Sequence, residues 1–200
     1  MKNCLLIFAL ILCFINSNAQ TKMTITFNDG TQKTGMYTIK SKPFSGSTSL
    51  SMLVSTKPKE KIKLDDFKSV IVYEDTIKII YEVIDVKTNF KSKKTEKKLG
   101  ELSYSGPLIN MYFVKEKLFS EGYNGKILDM DIFHTYIKRK NDSIAYNMGS
   151  VVKSGAPSLK NRIKDYFTDC PKLVEMVELE FIDKYKTKLL IDYYEQKCSD

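Results

Sequence analysis

The sequence predicts an α+β domain: an antiparallel, β-rich body of about seven to nine strands followed by a C-terminal cap of about three helices. Two observations carry that expectation. From Met23 to Met148, apolar residues alternate with polar ones or gather in short β-branched runs divided by Gly, Pro, Asn and Asp. After Gly155-Ala156-Pro157 the spacing turns helical and stays so to the end. A chain of 200 residues with no internal repeat suits one domain. The expected division is a signal segment over 1–19, a β-rich body over 20–155 and a helical segment packed on it over 156–200.

The amino end has the three zones of an export signal. Lys2 supplies positive charge, Leu5 to Ile15 form an uncharged apolar run, and Ser17 and Ala19 place small residues before a cut at Ala19/Gln20. The apolar run is too short for a retained span, which needs about 20 residues. Cys13 follows Leu10-Ile11-Leu12, but it lies inside the apolar run and after a large residue, so a lipidated cysteine fits poorly. The mature chain is expected to be exported to periplasm, cell surface or medium, with no membrane span after cleavage.

The body opens with Met23-Thr24-Ile25-Thr26-Phe27, whose alternation places Met23, Ile25 and Phe27 on one strand face. Asp29-Gly30 suits a tight two-residue turn, and Gly35 to Ile39 returns. Leu50 to Val54 and Lys61 to Leu64 read as short strands. Val70 to Tyr73 and Ile77 to Val86 form a second hairpin around Glu74-Asp75. The lysine-rich stretch 87–98 reads as an exposed loop or hairpin tip. Strands over Leu99–Tyr104 and Leu108–Val114 straddle Gly106-Pro107, and residues 115–130 carry no clear period. Asp131–Arg139 and Ser143–Met148 make a third hairpin.

The helical segment starts with Leu159, Ile163, Tyr166 and Phe167 at helical spacing behind Ser158 as cap. A second helix begins near Asp169-Cys170-Pro171, since proline suits a first turn, with Leu173, Val174, Val177 and Phe181 inward. The third covers Asp183 to Lys197 and turns Tyr185, Leu189, Leu190, Tyr193 and Tyr194 to the core.

Net charge is +8, one unit less once Lys2 is removed. Only Arg139 and Arg162 are arginines, so the planar fork suited to phosphate and guanine is scarce. Together with export, this argues against a nucleic-acid partner. The best surface for a partner is the lysine tract: Lys87, Lys91, Lys93, Lys94, Lys97 and Lys98 could meet anionic lipid or acidic polysaccharide. The plainer reading of such a run is a solvated loop.

Loss of the signal removes Cys4 and Cys13 and leaves Cys170 and Cys198. An even pair in an exported chain favours a disulfide over two free thiols. Topology agrees, because Cys170 precedes the second helix and Cys198 follows the third. Antiparallel neighbours would bring those two ends together.

Other fragments carry less. Ser150-Val151-Val152-Lys153 and Lys33-Thr34-Gly35 mimic two motifs of penicillin-recognising enzymes, but in reversed order and without the third. His134 is the single histidine, and alternation sets it opposite Phe133. It reads as a surface or satisfied sheet residue; as a general base it lacks a recognisable nucleophile. Asp65, Asp66, Asp129 and Asp131 lack the glycine and closing glutamate of a calcium loop. No cofactor is called for.

The run Tyr166-Phe167-Thr168-Asp169-Cys170-Pro171-Lys172-Leu173 resembles a Y-F-x-D-C-P-x-L motif of small exported proteins of the Bacteroidota. That resemblance implies an envelope or secreted location and an α+β body, and transfers no catalytic residue. The expected function is therefore a non-enzymatic envelope or secreted domain that binds an envelope protein or an anionic surface. The alternative is a small envelope hydrolase, for which His134, a hydroxyl and a carboxylate must converge in a concave site.

Overall fold

The computed structural model describes residues 21–41, 48–52, 60–87, 93–121, 127–150, 159–183 and 185–198. The expected signal segment over 1–19, Ser158, Lys91 and Val151–Lys153 lie outside them.

Among the described residues, ten strands form one sheet: β1 (Thr21–Phe27), β2 (Gln32–Ser41), β3 (Thr48–Met52), β4 (Glu60–Ile62), β5 (Phe67–Glu74), β6 (Ile77–Lys87), β7 (Thr95–Ser105), β8 (Ile109–Glu121), β9 (Ile127–Arg139) and β10 (Ile144–Ser150). Three helices follow: α1 (Leu159–Tyr166), α2 (Pro171–Glu178) and α3 (Thr187–Lys197). The class is α+β, with strands before helices as the periodicity predicts.

The strand order is β10-β9-β8-β7-β6-β5-β1-β2-β3-β4, and β10 also pairs with β6. The first half of β6 lies beside β5, Glu74↔Ile77 through Ser69↔Glu82. Its far end turns to β10, pairing Asp85 with Ile144 and Val86 with Ala145. Strands β6 to β10 therefore close into a five-stranded ring, and β5-β1-β2-β3-β4 extends from it. The closing contact is parallel, so the sheet is mixed where the sequence predicted an antiparallel one. It joins distant segments that no hairpin links.

Two local expectations shift. The β1–β2 turn uses three residues, not two: Phe27 N–H bonds Thr31 O at 2.8 Å and Gly30 N–H bonds Phe27 O at 3.0 Å. Gly30 sits at φ +87°, open to glycine without strain. The lysine stretch divides, because residues 95–98 already belong to β7. Within the unassigned stretch, residues 115–121 belong to β8 and 127–130 to β9, in register from Ile109↔Arg139 to Glu121↔Ile127.

Alternation sorts the ring strands into two faces. Ile109, Met111 and Ile137 face the helices and pack with Met148, Ile163, Phe167, Leu173, Val177, Leu190, Ile191 and Tyr194. Tyr112, Val114 and Tyr136 face inward with Ile84, Val86 and Ala145. A separate cluster under the extension joins Met23, Ile25, Tyr37, Ile62, Leu64, Phe67, Val70, Val72 and Leu99.

The helices start and stop earlier or later than periodicity predicts. α2 ends at Glu178, and Phe181 beyond it is 74% exposed. α3 begins at Thr187, four residues after the expected start. That later start leaves Tyr185 and Leu189 exposed; Leu190 and Tyr194 are buried as expected, and Ile191 joins them.

The Y-F-x-D-C-P-x-L segment works as a joint between helices and ring. Phe167 and Leu173 are fully buried. Asp169 accepts from Arg139 Nη2 at 2.7 Å and from Tyr194 Oη at 2.6 Å. The Arg139 guanidinium lies 5.0 Å from the Tyr166 ring centre and 5.2 Å from that of Tyr194. Burial opposes the charge on Asp169, but bonds from Tyr194 and Arg139 outweigh it and hold the carboxyl below its ordinary pKa. Pro171 opens α2, and Cys170 lies at disulfide distance from Cys198 with their Cα atoms 5.7 Å apart.

Glu195 of α3 fastens the β7–β8 turn in the same way. Its carboxylate accepts from Leu108 N–H at 2.9 Å, Ile109 N–H at 3.0 Å and Tyr104 Oη at 2.9 Å. A methyl group on Gly106 would collide with that carboxylate. Gly106→Ala should therefore displace Glu195 and cost about 2–3 kcal/mol, read by urea denaturation. Glu195→Gln keeps one acceptor oxygen and should cost less than Glu195→Ala. Equal midpoints for all four proteins would refute the clamp.

Candidate functional site

The inward face of the ring opens into a cleft of about 870 Å³, within the usual range for small-ligand sites. Its wall comes from β7 (Glu96, Lys98), β8 (Glu116), β9 (His134, Tyr136, Arg139), β10 (Ala145, Tyr146, Asn147) and α1 (Arg162, Asp165, Tyr166). Asp142 and Ser143 of the β9–β10 turn line its mouth, and Lys87 stands at the end of β6.

Two charged side chains lie deep in it. Lys98 is 7% exposed and Arg162 6%. Glu96 and Lys98 share the inward face of β7, and Lys98 Nζ bonds Glu96 at 3.0 Å and also Glu116. Burial opposes the lysine charge, yet Tyr136, Glu116 and Glu96 prevail and raise its pKa above the ordinary value. Arg162 donates through Nη1 to Asn147 Oδ1 at 2.8 Å and to Asn147 O at 3.3 Å. The Asn147 amide in turn donates to Tyr136 Oη at 3.1 Å. Burial lowers the pKa of Arg162, with Tyr146 and Tyr136 opposing.

His134 turns into this cleft rather than onto the surface, while Phe133 points outward beside Lys115. Its Nε2 lies 3.5 Å from Glu116, and its Nδ1 is buried without a hydrogen-bond partner among the described residues. Burial depresses the imidazole pKa below 6.5; Glu116 opposes this, and Lys98 and Arg162 add to it. The sign follows. Below about pH 6.5 an unfolded chain binds a proton that the folded chain resists. Stability associated with His134 is thus complete above pH 6.5 and lost as pH falls through the folded value. His134→Gln should flatten the decline in melting temperature below pH 6.5, and an unchanged pH profile would refute this.

The lysine tract is not one surface. Lys87, Lys93, Lys94 and Lys97 are exposed, Lys97 lies 3.4 Å from Asp85, and Lys98 is buried in the cleft. Asp131 pairs with Lys115 at 2.6 Å, and Asp66 accepts from Lys63 N–H at 2.9 Å around a 3-10 turn over Leu64–Asp66. Among the described residues no three His, Cys, Asp or Glu side chains gather as a metal site. No described helix is long and apolar enough to cross a membrane.

Comparisons with protein-family models, curated proteins and solved structures found no match for this chain. The cleft is therefore read from its own chemistry. Sequence periodicity passed over Glu116, Tyr136, Tyr146, Asn147 and Arg162 as site residues. One usable signal was present: the two arginines of a lysine-rich chain both line this cleft.

Proposed function

We propose that the chain is an exported, non-enzymatic binding domain that takes a small polar ligand into the cleft at the inward face of the ring. The observation that carries this reading is the depth of Lys98 and Arg162, both more than nine-tenths buried in the wall of one concavity. Burying charge is costly unless it is paired, and the chain supports both groups with Glu96, Glu116 and Asn147. Aromatic walls with a few fixed polar groups are the usual make-up of a ligand pocket. The export signal supports a location beyond the cytoplasm.

The test is a thermal-shift screen of the full chain against amino acids, monosaccharides, simple carboxylates and inorganic phosphate. At least one class should raise the melting temperature in proportion to concentration. Ser143→Trp, at the exposed mouth, should abolish the shift without lowering the unliganded melting temperature. A panel without effect, or a shift unaltered by Ser143→Trp, would sink the cleft as the binding site. Export is tested separately by sequencing the mature amino terminus, expected at Gln20.

Hydrolysis is the second reading, favoured by Glu116 beside His134 in a concave site. It requires a nucleophile, and the nearby hydroxyl, Tyr136 Oη, has its pKa raised by burial and is engaged by Asn147. Turnover of nitrophenyl esters or glycosides that disappears in His134→Gln would favour it.

A further inference from the structure

We infer that the ligand of this cleft is an uncharged polyhydroxylated molecule, of the kind a mono- or disaccharide represents. This rests on the cleft being the binding site. What points there is how far the wall already answers its own charges.

Among the described residues, Lys87, Lys98, Arg139 and Arg162 bring four positive charges to the lining. Glu96, Glu116, Asp142 and Asp165 bring four negative ones, and Asp169 adds a fifth from behind Arg139. Neither sign is therefore in surplus by more than one. The deeper groups are also engaged one by one. Lys98 Nζ bonds Glu96 at 3.0 Å and also Glu116. Arg139 donates to Asp169 and to Tyr166 O, and Arg162 donates to Asn147. A charged ligand entering here would compete with a partner already in place. Whichever charge it displaced would be left unpaired where little water reaches.

What the wall still offers is hydrogen-bonding capacity. The Glu96 and Glu116 side chains remain 36% and 31% exposed, and both line the cleft. An ionised carboxylate has about four acceptor sites, whereas an ammonium has three protons, and Lys98 already directs its own at these two groups. Acceptor capacity thus exceeds donor capacity on this part of the wall. A hydroxyl donates one bond and accepts two, and neighbouring hydroxyls on a sugar ring can set two donors against one carboxylate. Such a ligand supplies donors without adding charge. An apolar ligand would strip water from both carboxylates and return no bond.

The test is calorimetric titration of the full chain with neutral hexoses, pentoses, N-acetylhexosamines and disaccharides. Glucuronate and glucosamine follow, since each keeps the sugar ring and adds one charge of either sign. A neutral sugar should bind, and either added charge should weaken binding about tenfold or more. Affinity for the neutral sugar should be insensitive to salt, since no ion pair forms. Asp165→Asn and Asp142→Asn are exposed, shape-conserving changes that each remove a negative charge. Each should narrow the gap between glucuronate and glucose about two- to fivefold, with folding checked by melting temperature. The inference is overturned if no neutral sugar binds at millimolar concentration, if a charged analogue binds as tightly as its neutral parent, or if neither variant narrows the gap. Binding of an amino acid, acetate or phosphate that Ser143→Trp abolishes would overturn the polyhydroxyl class but keep the cleft. Sugar binding that Ser143→Trp leaves intact would overturn both.

Discussion

Cys170→Ser/Cys198→Ser is expected to lower the folding free energy by about 3–4 kcal/mol, the loop-entropy value for a cross-link of this span. The two residues are 28 apart, and their Cα separation of 5.7 Å lies in the middle of the usual range. Cys170 is buried at the start of α2, and Cys198 ends α3. Without the link, the unfolded chain regains the freedom of the whole segment holding both helices. The folded state keeps Leu173, Val177, Leu190 and Ile191 in one cluster and should remain native. Urea denaturation of the oxidised, reduced and substituted proteins checks this. Reduced and substituted proteins should share one lowered midpoint, and coincidence with the oxidised protein would refute the bridge.

Lys98→Met should destabilise the chain by about 2–3 kcal/mol. Removing one member of a buried ion pair typically costs about 3–5 kcal/mol, because the remaining charge is stranded. Here the stranded groups would be Glu96 and Glu116, whose side chains are 36% and 31% exposed, so water relieves part of the cost. The methionine fills much of the same volume, which keeps cavity terms small. Adding Glu116→Gln to Lys98→Met should recover part of the loss, since one stranded carboxylate disappears. A double-mutant cycle reads the coupling directly. If Lys98→Met melts like the parent, the lysine is not held as the geometry indicates.

The hairpins and helices were legible because each follows a single local period. Met23, Ile25 and Phe27 announce a strand within five residues, and Pro171 announces a helix start. The ring was not legible, since its closure depends on Asp85 and Val86 meeting Ile144 and Ala145 across most of the body. The cleft failed for a related reason. Lys98 lies among lysines, and only the β7–β8 arrangement brings Glu116 to it. Alternation gave His134 and Phe133 opposite faces but could not say which face was enclosed. For α3, apolar residues from Tyr185 onward suggested an early start. The chain instead enters the helix at Thr187, so Leu190 and Tyr194 face inward as expected while Ile191 takes the place given to Leu189.

The return of β10 to β6 bears on how this chain behaves beside its own copies. An open ten-stranded sheet displays two terminal strands whose free backbone groups can recruit another molecule. Here one terminus folds back on Asp85 and Val86 and conceals part of its bonding row. The other is β4, only three residues long, which offers little template for strand addition. At high concentration such a sheet is poorly suited to seed fibrils.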